Sequence, residues 1–345
     1  GDTSGVATVN YATTDTDNFT IGCSQASGGN AFARCDFATS VDTLTFAAGE
    51  TSKSFAIPII NDAIAEGNET FGVVLSNATG ATIGSPPTTT ITINDNDAVT
   101  GPNPIFTTPF FVRQHYLDFL SREPEVGEPW SGVLNGCSDV NNNPACDRLT
   151  VSGAFFGSPE FQLKGYFAYR FYKLAFNRLP LYTEIVVDMR AVTGATPAET
   201  FAKKAAFTND FVARTEFVNL YNGTTNTQYV NTLMGRYSLT QITTPDPANP
   251  DGTNKVTLTT AALINQLNAA TLTRAQVLRA IADSDQVFGA ELNPGFVAMQ
   301  YFGYLRRQPD ALYVNWIAHL DATGDSRSMI DGFINSLEYR ARFTP

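Results

Sequence analysis

The apolar residues of this 345-residue chain change their spacing once, and that change constrains the fold more than any single motif. Through residue 97 they alternate with polar residues. Leu44 and Phe46 share one side, as do Phe55, Ile57 and Ile59, then Phe71, Val73 and Leu75, then Ile91 and Ile93. A period of two belongs to half-buried strands. From about Phe106 the apolar spacing becomes three and four, the aromatics grow dense and Arg appears, all of which belong to helices packed on one face. Between the two patterns lies Gly101-Pro102-Asn103-Pro104, the punctuation of a domain boundary. The expected layout is an all-β domain over 1–97, a linker over 98–108 and a helical domain over 109–345.

In the β half, Ala7, Val9 and Tyr11 add an earlier strand, and Ala47-Ala48-Gly49-Glu50 makes a turn. Pro58 faces away from Phe55, Ile57 and Ile59, a placement tolerated at an edge or bulge. Short strands separated by Gly, Asn and Asp turns favour an antiparallel β-sandwich. The run from Thr43 to Asp97 opens Thr-Leu-Thr-Phe-Ala-Ala-Gly-Glu and closes Thr-Ile-Asn-Asp-Asn-Asp, with Asn61-Asp62-Ala-Ile-Ala-Glu66-Gly-Asn-Glu69 between. This order of elements closely resembles the C-terminal part of a Calx-beta domain, an immunoglobulin-like Greek-key sandwich that can hold calcium at one end. Such domains open with a strand and hairpin that precede the segment beginning here at Val6. The expectation is that those strands come either from residues upstream or from a neighbouring subunit that donates one.

The resemblance implies a calcium site. Its positions fall on Asp17, Asp62, Glu66, Glu69, Asp95 and Asp97. Calcium needs several hard oxygens converging from separate loops. Asp62, Glu66 and Glu69 share one turn and Asp95 and Asp97 end the last strand, so a sandwich brings them to one tip. Asn96 interrupts the terminal acidic triplet. A second acidic stretch, Asp139-Val-Asn141-Asn-Asn143, lacks a calcium loop's Gly and Glu, with Pro144 and Thr150 in their places, and is set aside.

Charge and cysteines narrow the setting. Residues 1–100 carry eleven Asp or Glu against Arg34 and Lys53 alone, which accounts for most of the net charge of −11. An acidic sandwich repels nucleic acid and attracts divalent cations. Cys23 with Cys35 and Cys137 with Cys146 each bracket a polar loop. Metal binding would favour tighter spacing and nearby histidines, and neither His115 nor His319 is close in sequence. Two disulfides closing short loops are therefore expected, and with them an oxidising, extracellular setting. No apolar run is long enough to span a membrane.

The helical half repeats itself. Phe111, Tyr116, Leu120, Arg122 and Pro124 return at identical offsets as Phe167, Tyr172, Phe176, Arg178 and Pro180, and again as Phe296, Tyr301, Leu305, Arg307 and Pro309. The aromatic and aliphatic members follow one helix face, the Arg suits the last turn, and the Pro marks where the helix has ended. A second motif places a Phe five residues before a Glu-aromatic pair: Phe155 with Glu160-Phe161, Phe211 with Glu216-Phe217, and Phe333 with Glu338-Tyr339. With the capping boxes Thr196-Pro-Ala-Glu199 and Thr273-Arg-Ala-Gln276, helices are expected over 109–121, 148–157, 165–177, 197–213, 258–268, 273–283, 294–306 and 326–336. The stretch Phe111-Val-Arg-Gln-His-Tyr-Leu-Asp-Phe-Leu-Ser-Arg-Glu-Pro and the ending Ser336-Leu-Glu-Tyr-Arg-Ala-Arg-Phe343 resemble the helical family catalogued as domain of unknown function 4214, common in secreted bacterial proteins. Its pairing with a Calx-beta domain and both cysteine pairs resembles secreted surface proteins of acidobacterial type.

No catalytic arrangement stands out. His115 has Phe171 and Gln300 at the equivalent repeat positions, and no nucleophile elbow, zinc-protease helix or phosphate-binding glycine loop occurs. Glu123 and Glu125 flank Pro124 in a helix-ending turn and read as solvated charges. The expectation is a non-enzymatic, secreted structural or adhesive protein that forms homo-oligomers or polymers at the cell surface, by strand exchange between subunits. The alternative is a calcium-dependent extracellular module for a glycan or protein partner.

Overall fold

The computed structural model describes residues 2–26, 28–98 and 101–344. Four strands, β1 (Ala7–Thr14), β2 (Val41–Phe46), β3 (Glu69–Thr79) and β4 (Thr88–Ile93), form an antiparallel sheet in the order β2-β1-β3-β4. Tyr11 stands opposite Asp42 on one side and Leu75 on the other, and Phe71 stands opposite Ile91. The expected alternation holds along β3, where Phe71 and Val73 are buried and the residues between them are not. Phe71 and Val73 pack with Phe37 and Ala31, and Ile57, Ile59, Ile91 and Ile93 close over them.

The stretch expected as a strand around Phe55 forms no ladder. Only Ile59 pairs, by an isolated bridge to Phe37, and the Pro58 carbonyl accepts from Ala38 N at 2.8 Å. Pro58 has no N–H to give a neighbouring strand, so the segment covers the sheet through side chains. Phe55 stacks on Tyr11 with ring centroids 3.8 Å apart, while Ile57 and Ile59 reach the core.

Each of the eight expected helices is present, within a few residues of its expected ends. They are Thr108–Leu120, Arg148–Gly157, Gly165–Phe176, Pro197–Ala213, Thr260–Asn268, Arg274–Ala282, Leu292–Gln300 continued by a π-helical turn over Tyr301–Leu305, and Ser326–Ile334. Further helices lie between them, among them Tyr182–Ala191, Thr215–Tyr221, Asn226–Gly235 and Tyr313–Thr323, and a hairpin joins Gln241–Pro245 to Lys255–Thr259. The helix of each repeat ends in the same way, with a left-handed residue directly before the recurring Arg: Ser121 (φ 55°), Asn177 (φ 54°) and Arg306 (φ 51°). The carboxylate partner of that Arg is the Glu of the second motif in two copies. Arg178 Nη2 bonds Glu216 Oε2 at 2.6 Å, and Arg307 Nη2 bonds Glu338 Oε2 at 3.0 Å. Arg122 bonds Glu125 Oε2 at 2.6 Å.

By compactness the chain divides into two units, one of Gly1–Phe155, Phe302–Arg307 and Ser326–Pro345, the other of Phe156–Tyr301 and Gln308–Asp325. The division therefore falls inside the helical half rather than at the 98–108 segment. Polar contacts within the first unit tie the sheet to helical segments. Arg306 Nη1 donates to the Ala33 carbonyl at 2.8 Å, Ala63 N to the Phe343 carbonyl at 3.1 Å, and Asn103 Nδ2 to the Arg340 carbonyl at 2.9 Å. Beneath them Asp118, buried, is clasped by Arg306 and Arg342. Gly303 has no side chain because a Cβ there would meet the Phe119 ring at 2.0 Å.

The two local cysteine pairs are both disulfide-bonded, Cys23 with Cys35 and Cys137 with Cys146. Among the described residues, no helix is long and apolar enough to cross a membrane. His115 is fully buried. Its Nδ1 lies 2.8 Å from the Phe111 carbonyl and its Nε2 lies 3.0 Å from Ser152 Oγ, and burial pushes its pKa down to about 4. A neutral imidazole with both nitrogens occupied is a packing element.

Candidate metal centre

At one end of the sheet, three connections bring carboxylates together around a cavity of about 80 Å³. Asp36 comes from the loop closed by the Cys23–Cys35 disulfide, one residue past Cys35. Its Oδ2 accepts from Phe32 N at 2.7 Å. Asp62 and Glu66 come from the turn before β3, and Glu69 is the first residue of β3. Asp62 Oδ1 accepts from Ile64 N at 2.7 Å. Gly67 carries that turn at φ 79°, a conformation a side chain would strain, and its N–H bonds Asp95 Oδ2 at 2.7 Å. Asp97 N donates to the other Asp95 oxygen at 2.8 Å. Asp95 and Asp97 follow the end of β4 and line the same cavity.

One ligand atom each from Asp36, Asp62 and Glu66 lies within 4.8 Å of the other two. Two oxygens bound to one calcium at about 2.4 Å can be no further apart than about 4.8 Å, so the three can share an ion. Burial and then the charge of Asp36 raise Glu69, so the two carboxyls favour sharing one proton. Glu66 Oε1 and Glu69 Oε1 are buried and have no hydrogen-bond partner. A buried, unpaired carboxylate oxygen is costly, and it is an unused metal ligand.

The electrostatics follow from this crowding. Burial first, then the charges of the neighbouring acids, pushes Glu66 up to about 9, Glu69 up to about 8 and Asp62 up to about 7. Burial raises Asp36 to about 6, against the hydrogen bonds from Phe32 and Glu69. Asp97 is raised by burial and by Asp95, whereas Asp95 is lowered by the amides of Asp97 and Gly67. Several acids thus hold protons near neutral pH unless a cation replaces them.

Of the six residues expected to bind metal, Asp62, Glu66, Glu69, Asp95 and Asp97 line the cavity and Asp17 does not. Asp17 is held by Arg34, whose Nη2 reaches Asp17 Oδ1 at 3.2 Å and whose guanidinium also bonds the Ile21 carbonyl. A carboxylate already neutralised by a bidentate guanidinium is a poor ligand. Asp36 takes the place among the acids that Asp17 was expected to hold. Sequence reasoning passed over it because no acidic neighbour marks it, and its only signal is adjacency to Cys35.

A four-stranded antiparallel sheet with an acidic tip assembled from its connecting loops defines an all-β module whose carboxylates could hold a cation. Its family follows from comparison: residues 1–97 match the model of the Calx-beta domain, and this part of the chain belongs to that family. Three solved structures are similar to it. They are the apo form of the Calx CBD1 domain (30% identity over 28% of this chain and 75% of that one, TM-score 0.22), the calcium binding domain CBD12 of CALX1.1 (30% identity, 29% and 37%, TM-score 0.24), and CBD12 from CALX1.2 (31% identity, 29% and 36%, TM-score 0.24). The chain spans little more than a third of the two CBD12 chains. No curated protein matches the chain.

Proposed function

We propose that this protein is an extracellular, non-enzymatic module whose sandwich binds calcium at the tip built from Asp36, Asp62, Glu66 and Glu69, with Asp95 and Asp97 at its rim. The observation that carries the reading is the pair of buried, partnerless oxygens on Glu66 and Glu69 beside three carboxylates close enough to share one ion. Membership of residues 1–97 in the Calx-beta family, whose similar structures include a calcium binding domain, supports it. The ion joins three connections that are otherwise mutually repulsive, so its first effect is to stiffen that end of the sheet. The helical half, read as a module of the domain of unknown function 4214 family, then serves as a structural partner. Calorimetric titration of the full chain with calcium, and with magnesium as the control, tests the reading. Saturable calcium binding that Asp36→Asn and Glu66→Gln abolish is expected, and its absence in the unsubstituted protein refutes it.

A second reading, self-assembly by strand addition, is favoured by β4. This edge strand, Thr-Thr-Thr-Ile-Thr-Ile, carries neither charge nor proline, the features that keep sheet edges from pairing. Negative-stain images of the full chain with calcium show filaments or ordered oligomers if this reading holds, and single particles if it fails.

A further inference from the structure

A second cavity, of about 660 Å³, lies in the same unit as the sheet, between the segment before the helix Thr108–Leu120, the loop closed by Cys137–Cys146 and the C-terminal end of the helix Ser326–Ile334. Its volume is that of a small-molecule or oligosaccharide site. Two guanidiniums line it, Arg148 and Arg340, and neither meets a carboxylate among the described residues. Arg148 Nη1 donates to Asn141 Oδ1 at 2.7 Å and its other terminal nitrogen to the Phe106 carbonyl. Arg340 donates to Asn335 and lies over the Phe106 ring, 5.2 Å from its centroid. The Nε atoms of both arginines are buried and have no hydrogen-bond partner.

Acids outnumber bases 33 to 22, and several arginines elsewhere, Arg170, Arg214 and Arg306 among them, face an aspartate, whereas Arg236 and Arg274 are likewise held by neutral oxygens. Neutral acceptors hold Arg148 and Arg340 in place without cancelling their charge. One acid, Asp331, also lines the cavity, and Asn335 Nδ2 already bonds it at 2.6 Å. A net positive cavity in an acidic protein selects for an anion.

The rest of the lining narrows the anion. Asn141 and Asn142 are exposed at the cavity on the loop that the disulfide closes, and their backbone N–H groups are tied to Asp139 Oδ1 at 2.9 and 3.2 Å. The loop is thereby fixed, and Asn142 Nδ2 also reaches Asp139 Oδ2 at 3.5 Å, which leaves the amide oxygen and second N–H of Asn142 for a ligand. Phe106 is 51% exposed. Side-chain amides match hydroxyl groups, an exposed ring matches the C–H face of a pyranose, and arginine matches a planar carboxylate. We propose that this cavity binds an acidic saccharide, with Arg148 and Arg340 taking its oxyanion, the asparagine amides its hydroxyls and Phe106 its ring. The site is independent of the calcium tip and shares no residue with it.

Calorimetric titration of the full chain with trigalacturonate, its methyl ester and a sulfated carrageenan trisaccharide tests this. An acidic trisaccharide should bind saturably, and the comparison of the uronate with the sulfate identifies the preferred oxyanion. The neutral ester should bind at least about tenfold more weakly, and Arg340→Gln and Asn142→Ala should each weaken binding, the former by about tenfold or more. Arg113→Gln, which removes a surface pair with Glu123, should leave it unchanged. No saturable binding of either acidic sugar at millimolar concentration, equal binding of the ester, or unchanged binding by an Arg340→Gln variant that melts normally each overturns the proposal. Asn142→Ala lies on an exposed loop and keeps the test decisive should Arg340→Gln fail to fold.

Discussion

Raising the pH in the presence of a chelator should weaken the sandwich, and calcium should remove that weakness. The sign follows from the acidic tip. Asp62, Glu66, Glu69 and Asp36 are all raised in the folded state above their ordinary values of 3.8 and 4.5. Without metal the folded state therefore binds more protons than the unfolded chain, and stability falls as pH rises. The contribution is fully present below the ordinary carboxylate values and disappears as pH passes from about 6 to about 9. Asp62 is 8% exposed, and its rise from 3.8 to about 7 corresponds to on the order of 4 kcal/mol. The four groups share their protons, so the total is not a sum of single shifts. With EDTA, the melting temperature of the sandwich should drop by more than about 10 °C between about pH 5 and about pH 8.5.

Calcium should reverse this, because it binds the ionised form that alkaline pH creates. At a hundredfold excess over its dissociation constant the ion adds about 2.7 kcal/mol at the alkaline end. It adds little near pH 5, where protons already occupy the cluster. Scanning calorimetry across this range, with EDTA and with calcium, makes the measurement. A flat EDTA profile, or parallel profiles with and without calcium, would refute the reasoning.

The remaining predictions separate ligand from support. Asp17→Asn should cost stability by freeing Arg34 yet leave calcium affinity unchanged, whereas Asp36→Asn should weaken calcium by at least about tenfold; titration of both variants decides. Replacing Cys23 and Cys35 by Ser opens a twelve-residue loop and should cost about 3 kcal/mol by denaturant unfolding, with a loss of calcium affinity because the loop positions Asp36. Asp118→Ala strands the buried Arg306 and Arg342 and should destabilise the first unit by about 3–5 kcal/mol, read from the same unfolding curves.

Some of this architecture is legible in the sequence for definite physical reasons. The repeat could be read because each copy ends its helix in the same left-handed residue, which fixes the distance from the aromatic face to the Arg and Pro. The pairing of that Arg with the second motif could not, because Arg178 reaches Glu216 across 38 residues and Arg307 reaches Glu338 across 31. A contact with no constant separation leaves no spacing to find. The helix Asn226–Gly235 had a usable signal in its box, Thr225 with Gln228, and so did the hairpin, where Ile242 and Thr244 are buried on alternate positions. The helices Tyr182–Ala191 and Tyr313–Thr323 start from Leu181 and Leu312, which cap nothing with their side chains, so no N-cap signal marks them. Around Phe55 the alternation was real but served side-chain packing, since Pro58 cannot donate to a ladder.

Elsewhere in this chain buried acids meet guanidiniums. Asp118 has Arg306 and Arg342, Asp147 has Arg327, Asp188 has Arg214, and Asp283 has Arg170 and Arg279. Each burial of a carboxylate there comes with a guanidinium that the fold delivers to it, and Asp118, Asp147 and Asp283 stay below the usual carboxylate range despite burial, while burial raises Asp188. At the sandwich tip the same polypeptide gathers Asp36, Asp62, Glu66 and Glu69 and supplies no basic side chain to the cavity. The first hundred residues contain two bases, and both are spent: Arg34 on Asp17, and Lys53 on Glu50. Among the described residues the fold supplies no countercharge to this cavity, and protons or a cation from solvent could supply it.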